Sequence, residues 1–187
     1  GPMVCSNAAA KNHMDVLRWA WENDCPWDKS TCSRAARGGH FEALQFAKAR
    51  GCPWDNETSK FAALSGHFDM LKWARKHGCP WGSGSDVCDM AAYIGRLDML
   101  NWAFANGCRL GKGMMFQAVH GGHQEVVQWG LAHGCDADVR LAEVASEHGH
   151  LDLLKWMISR GMPFHRERCL WSGSKHPGAK EFFDSLP

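Results

Sequence analysis

The sequence predicts an all-α fold: a helical-repeat solenoid of paired antiparallel helices with shortened loops and little or no β-hairpin. Three observations predict it. A single residue pattern, Gly-His-aromatic-acid-x-Leu-x-Trp-Ala followed by Gly-Cys-Pro-Trp, recurs six times with substitutions. The equivalent positions His13, His40, His67, Arg96, His123 and His150 are separated by 27, 27, 29, 27 and 27 residues, and a fixed period of that size marks stacked repeats. Each period also holds two runs of helical character divided by glycine.

The elements follow in order. Gly1-Pro2 has the composition of a protease-cleavage scar and is set apart from the fold. The remaining residues, 3–187, read as one domain. Its repeats are expected at about 3–28, 29–55, 56–82, 83–111, 112–138 and 139–165, with a degenerate C-terminal cap at 166–187. The first repeat opens inside a helix, Val4 to Lys11, and its stop glycine is replaced by Asp24, so a less regular turn is expected there. In the second repeat Ser30 to Arg37 forms the first helix. Gly38-Gly39 ends it, because glycine accepts the left-handed backbone of a helix terminus. The second helix runs from near His40 to Arg50, with Glu42 and Lys48 placed to suit its dipole. Gly51 stops it, and Pro53 follows where a helix cannot continue. Gly82-Ser83-Gly84-Ser85 accounts for the one spacing of 29 and reads as a flexible insertion. In the cap Cys169 aligns with Cys32, Pro177 falls in the place of the repeat histidine, and the helix ending Phe182-Phe183 covers the last apolar face.

Three residue columns recur. Trp19, Trp73, Trp102, Trp129 and Trp156, with Phe46 in the remaining place, are expected to be wedged between successive second helices. Burying such a ring is worth at most about 4–6 kcal/mol. Trp27, Trp54, Trp81 and Phe164 form a second aromatic column that anchors the connecting loops; it becomes Leu110 and Ala137 in the fourth and fifth repeats. Cys25, Cys52, Cys79, Cys108 and Cys135 form the third. Neighbouring repeats stack roughly 8–10 Å apart, beyond the roughly 7 Å Cα separation of a disulfide. These cysteines therefore read as reduced packing residues, as in a cytoplasmic or nuclear protein.

Charge narrows the function. Lys and Arg number 21 against 20 Asp and Glu, which gives no electrostatic grip on nucleic acid or an anionic membrane. No apolar run reaches the roughly 18 residues of a spanning helix. No metal site is expected, because no CxxC or HxxxH seeds one. Within a unit the repeat Cys and His stand at opposite ends of the second helix, roughly 18 Å apart. A fortuitous cluster of His120, His123, His148 and His150 is the nearest approach to a metal site. Gly107 to Gly113 imitates a phosphate loop but lacks its spacing, its Ser/Thr after Lys and a preceding strand. No nucleophile elbow is present either. The expectation is a non-enzymatic, cofactor-free chain.

The repeat resembles the ankyrin repeat. Ala35-Ala36, Ala62-Ala63 and Ala91-Ala92 occupy its paired-alanine place, and Gly51-Cys52-Pro53-Trp54-Asp55 occupies its Gly-Ala-Asp-Val-Asn place. The usual unit has 33 residues, so most units here are shorter, and the shortfall lies in the hairpin finger. The Thr-Pro-Leu-His opening is also missing. This short variety is similar to ankyrin arrays of protists and large DNA viruses.

The resemblance implies a protein–protein interaction scaffold that binds an unknown protein partner on its concave face and loop tips. A monomer without nucleic-acid or membrane partners is expected. The alternative is a metal- or nucleic-acid-contacting array that uses its His, Cys and Trp residues. Carried over by position, the contact residues are Lys29, Arg37, Asn56, Leu64, Ser85, Tyr93, Ile94, Lys112, His120, Glu147 and His148. Leu64, Tyr93 and Ile94 read as a central apolar patch, and Tyr93 is the only tyrosine. Arg34 and Arg37 lie before the patch and Glu143 and Glu147 after it, a basic-to-acidic order that would orient a partner.

Overall fold

The structure is a computed structural model and describes residues 2–82 and 86–185. The chain forms two compact units, residues 1–87 and 88–187. Among the described residues there are only helices and no strand, as the shortened loops predict.

Unit 1 contains α1 (Pro2–Ala10), α2 (Met14–Glu22), α3 (Lys29–Gly38), α4 (Phe41–Ala49), α5 (Asn56–Leu64) and α6 (Phe68–Lys76). Each odd helix packs on the even helix that follows it, and α3 packs between α1 and α5. From residue 86 onward come α7 (Asp86–Tyr93), α8 (Leu97–Ala105), α9 (Gly113–His120), α10 (Gln124–Ala132), α11 (Arg140–Glu147), α12 (Leu151–Ser159), α13 (Arg166–Ser172) and α14 (Pro177–Asp184). In unit 2, α9 pairs with α10, α11 with α12 and α13 with α14, while α11 packs between α9 and α13.

Two turns of one design close each helix pair. After α3, Gly39 takes φ +73° and the amide of His40 donates to the Ala35 carbonyl at 3.0 Å. After α4, Gly51 takes φ +81° and the amide of Cys52 donates to the Ala47 carbonyl at 3.1 Å. Both are Schellman caps, which satisfy carbonyls that a helix end leaves open. The cysteine column is thus the third residue beyond α2, α4, α6, α8 and α10. The cap folds this side chain back on the helix, and Cys52, Cys79 and Cys108 are buried. Asp24 does not loosen the first repeat. It adopts φ +53°, and Cys25 donates to the Ala20 carbonyl at 2.9 Å, so the turn has the same form as its glycine counterparts.

The core is made of small and aliphatic residues. Ala35 and Ala36, Ala62 and Ala63, and Ala91 and Ala92 are fully buried on the odd helices, where the missing side-chain volume lets helices approach. On the even helices the buried set is Ala43, Leu44 and Ala47 in α4 and Met70, Leu71 and Ala74 in α6, with equivalents in α8, α10 and α12.

The tryptophan column lies outside this core, contrary to the expectation of wedged, buried rings. Trp19 is 56% exposed, and Trp73, Trp102, Trp129 and Trp156 are half-buried. Their contacts do cross to the preceding repeat. Trp73 meets Phe41 edge-on at 5.6 Å, and Trp129 Nε1 donates to Asn101 Oδ1 at 2.7 Å. The rings tile the outer face of the even helices, because Leu and Ala at neighbouring positions already fill the space between helix layers.

The repeat histidines occupy the N-cap positions of the even helices but make no capping bond there. Their rings reach back one repeat. Nε2 of His40, His123 and His150 lies 3.1, 3.0 and 2.8 Å from the carbonyl oxygens of Ala10, Tyr93 and His120. In the last repeat His176 takes this role, 3.0 Å from the Glu147 carbonyl. Pro177 instead begins α14. The register shifts by one because His176, not the proline, has the ring nitrogen that the junction requires.

Candidate functional site

The non-repeating residues at the C-terminal ends of the odd helices converge in unit 2. These positions precede the Schellman glycine, so the last helical turn presents them next to one another in successive repeats. Tyr93 ends α7 and is 36% exposed. Its ring meets His120 edge-on at 5.2 Å. His120 ends α9, and its ring lies 4.1 Å from that of His148, just beyond α11. His148 lies 6.3 Å from His150, with the two rings 14° from parallel. Junction bonds fix the ladder from beneath, since His123 and His150 hold the carbonyls of Tyr93 and His120. His148 is further fixed by Nδ1, 3.0 Å from the Val144 carbonyl. The result is a strip of exposed π faces and imidazole nitrogens, with the exposed Glu147 beside it. Such a strip suits hydrogen-bonding and ring-stacking contacts with a polypeptide.

The other expected contact residues are distributed as follows. In unit 1, Lys29 is exposed and pairs with Asp55 at 2.9 Å. Arg37 is exposed and stacks over Phe61, 5.4 Å from the ring centre. Asn56 donates through Nδ2 to Asp86 at 3.0 Å, and Leu64 is half-buried at the end of α5. Ser85, with most of the inserted loop, lies outside the described residues. In unit 2, Ile94 is half-buried and Lys112 is exposed. The structure pairs Tyr93 with an imidazole and assigns Leu64 to unit 1. Glu143 forms an ion pair with Arg168 at 3.7 Å, and Arg34 donates to the Asn7 side chain at 2.8 Å.

Sequence reasoning missed two features. The first is a set of cysteine pairs within repeats, not between them. The Cys52 thiol beside it, together with burial, pushes the Cys32 thiol up; Cys88 is raised in the same way by Cys108. The odd-helix cysteine stands twenty residues before its partner, a second spacing that a search along one column does not test. None of the nine cysteines is in a disulfide.

The second is a cleft of ≈ 510 Å³ in unit 2, lined by Phe104, Leu110, Lys112, Phe116, His133 and Arg140 among others. It opens where the loop aromatic column is interrupted at Leu110. In unit 1 that column is filled: Trp54 lies under Lys48 at 4.2 Å and meets Trp73 edge-on at 5.9 Å, and Trp81 lies under Arg75 at 4.1 Å.

Among the described residues no group of three or more His, Cys, Asp or Glu side chains is placed to hold a metal ion. No described helix is long and apolar enough to cross a membrane.

Comparison with known proteins places this geometry. Residues 60–104 match the family model of ankyrin repeats. The fold is similar to the crystal structure of the human ASB11 ankyrin repeat domain, with a TM-score of 0.64 and 13% identity over 84% of this chain and 83% of that one. Comparison with curated proteins gives no significant sequence match. Helix pairs closed by Gly-His turns, the match over residues 60–104 and the shared fold make the chain similar to ankyrin-repeat proteins.

Proposed function

We propose that this chain is a non-catalytic protein-recognition module that contacts its partner through the Tyr93–His120–His148 ladder. The observation that carries the reading is that three exposed rings from successive repeats meet at positions the repeat does not prescribe. Scaffold positions recur because every junction needs them; these do not recur and still form one continuous surface. Ankyrin repeats in general mediate protein–protein interactions, and the fold is typically a binding scaffold without catalysis. Mostly buried cysteines outside any disulfide suit a reducing compartment, cytoplasm or nucleus.

Affinity capture with the whole chain, compared with a Tyr93→Ala, His148→Ala variant, tests the reading. Partners held by the wild type should be lost, with Tyr93→Ala alone weakening binding by more than about 1 kcal/mol and melting almost unchanged. Equal capture by both forms sinks the assignment to this ladder. Stoichiometric metal after chelator-free purification, or salt-sensitive nucleic-acid binding, would overturn the protein-recognition reading itself.

A further inference from the structure

The odd helices of unit 1 carry an uneven charge. The sequence of α1 has no charged side chain, α3 carries Lys29, Arg34 and Arg37, and α5 carries Glu57 and Lys60. The two lysines are neutralised within the chain: Lys29 pairs with Asp55 at 2.9 Å and Lys60 with Glu57 at 3.3 Å. The two arginines are not. Both are exposed, and among the described residues neither makes an ion pair.

Arg34 and Arg37 line one groove of ≈ 530 Å³, together with Ala10, Ser33, Gly38 and Phe61, and no lining residue is acidic. Each guanidinium is held in place, and neither is discharged. Arg34 donates to Asn7 Oδ1 at 2.8 Å, a neutral amide that leaves the charge uncompensated. Arg37 lies over Phe61, 5.4 Å from the ring centre. Stacking occupies the face of the guanidinium and leaves its in-plane N–H donors for a carboxylate. Other polar groups of the groove are engaged. The Ala10 carbonyl is met by the His40 ring at 3.1 Å, and the Ser33 hydroxyl donates to the Ser30 carbonyl at 3.4 Å. What the groove has left to offer is positive charge and planar donors.

We propose that this groove is an anchor site for an acidic segment of a partner protein, with one carboxylate on Arg34 and a second on Arg37. The site rests on the protein-recognition reading and extends it to unit 1. The two arginines stand three residues apart on α3, so they share a face and are offset by about 4.5 Å along the helix. In an extended peptide, alternate side chains share a side at a spacing of about 6.5–7 Å, which two long arginine side chains can span. An acid-x-acid sequence therefore matches the pair. A polypeptide fits better than a nucleic acid, because the chain as a whole sets 21 basic against 20 acidic residues and has no extended positive field for a polyanion.

The test is a ¹H–¹⁵N NMR titration of the whole chain, at low ionic strength, with the capped peptide Gly-Ser-Glu-Ala-Glu-Ser-Gly. Saturable shifts at Arg34, Arg37, Gly38 and Phe61 are expected. Replacing both glutamates of the peptide by glutamine should weaken binding at least about tenfold. Arg37→Lys, which keeps the charge and loses the planar fork, should weaken it about threefold. The double variant Arg34→Gln, Arg37→Gln should abolish saturable binding, whereas Lys76→Gln, at an exposed charge outside the groove, should leave it unchanged. The glutamine peptide keeps the test decisive if the double variant fails to fold. No saturation at millimolar peptide, equal affinity for the glutamine peptide, or an equal loss from Lys76→Gln would overturn the proposal. Tighter binding of a single-stranded DNA heptamer than of the peptide, lost in the same double variant, would assign the groove to nucleic acid and overturn it as well. Partner capture that depends on Tyr93 but not on Arg34 and Arg37 would overturn this site alone and leave the recognition reading in place.

Discussion

The Nε2 atom of His150 lies 2.8 Å from the carbonyl oxygen of His120, thirty residues earlier. The same bond joins His123 to Tyr93 and His176 to Glu147. The ring also lies over the glycine that closes the previous odd helix. A Cβ on Gly122, whose φ is +77°, would stand 2.7 Å from the His150 ring. Gly134 has φ +81°, but a Cβ there would meet nothing within 4 Å. Gly134→Ala should therefore cost only the left-handed backbone penalty, about 1–2 kcal/mol. Gly122→Ala should cost more, because it also displaces the ring. His150→Ala should cost about 1 kcal/mol for the lost bond. Urea midpoints of the three variants check this, and equal losses at Gly122 and Gly134 would show that the ring contact contributes nothing.

The core assignment makes a second prediction. Leu71 is fully buried in α6, so Leu71→Ala should cost about 2–5 kcal/mol. Trp19, more than half exposed, should cost no more than about 2 kcal/mol on replacement by Ala, despite its size. Thermal melting of both variants decides the order, and a larger loss at Trp19 would return the tryptophans to the core.

Thiol labelling gives a third. Cys25 and Cys135 are half-buried and the other seven cysteines are buried. Brief treatment of the native chain with iodoacetamide should modify these two first, with Cys135 slowed because desolvation raises its thiol. Burial holds Cys169 up at about 11, so it should react only on unfolding. Peptide mass spectrometry reads the order, and early labelling of Cys169 would contradict its packing under the last repeat.

Acid gives a fourth. The Arg140 side chain, helped by the Arg140 amide, holds the Asp138 carboxyl down to about 2, against an ordinary value of about 3.9. The folded state thus favours the ionised form. Its contribution is present above about pH 4 and is lost as pH falls toward 2. The pair is solvent-exposed, so the effect is small. Urea midpoints of wild type and Asp138→Asn should differ near neutral pH and converge between pH 4 and 2. A constant difference would mean that the shape of the side chain matters and its charge does not.

Much of this was legible in the period. Repeating glycines and histidines located the helix pairs, and the short unit foretold an all-helical chain. Failures came where one position answers to two demands. Trp73 recurs in its column as strongly as Leu71, but recurrence does not distinguish the core from the tiles over it. Pro177 fitted the period by counting, whereas the junction chemistry selected His176, one residue earlier. Tyr93 stood out by being alone, but its partner His120 was not readable as such, because the contact joins the ends of helices 27 residues apart in sequence. The cleft was visible only as a missing Trp at Leu110, and a missing residue becomes a cavity only when its surroundings do not collapse.

The ring-to-carbonyl junction has an evolutionary consequence. Within unit 2, three successive joints use one donor column and one acceptor column. A gene segment encoding one period, duplicated or deleted in frame, would leave a compatible histidine and carbonyl on either side of the cut. The number of repeats is then a heritable variable that can change without redesigning any joint. Under the proposed recognition role, selection for a partner is left to act on residues such as Tyr93, which the joints do not use.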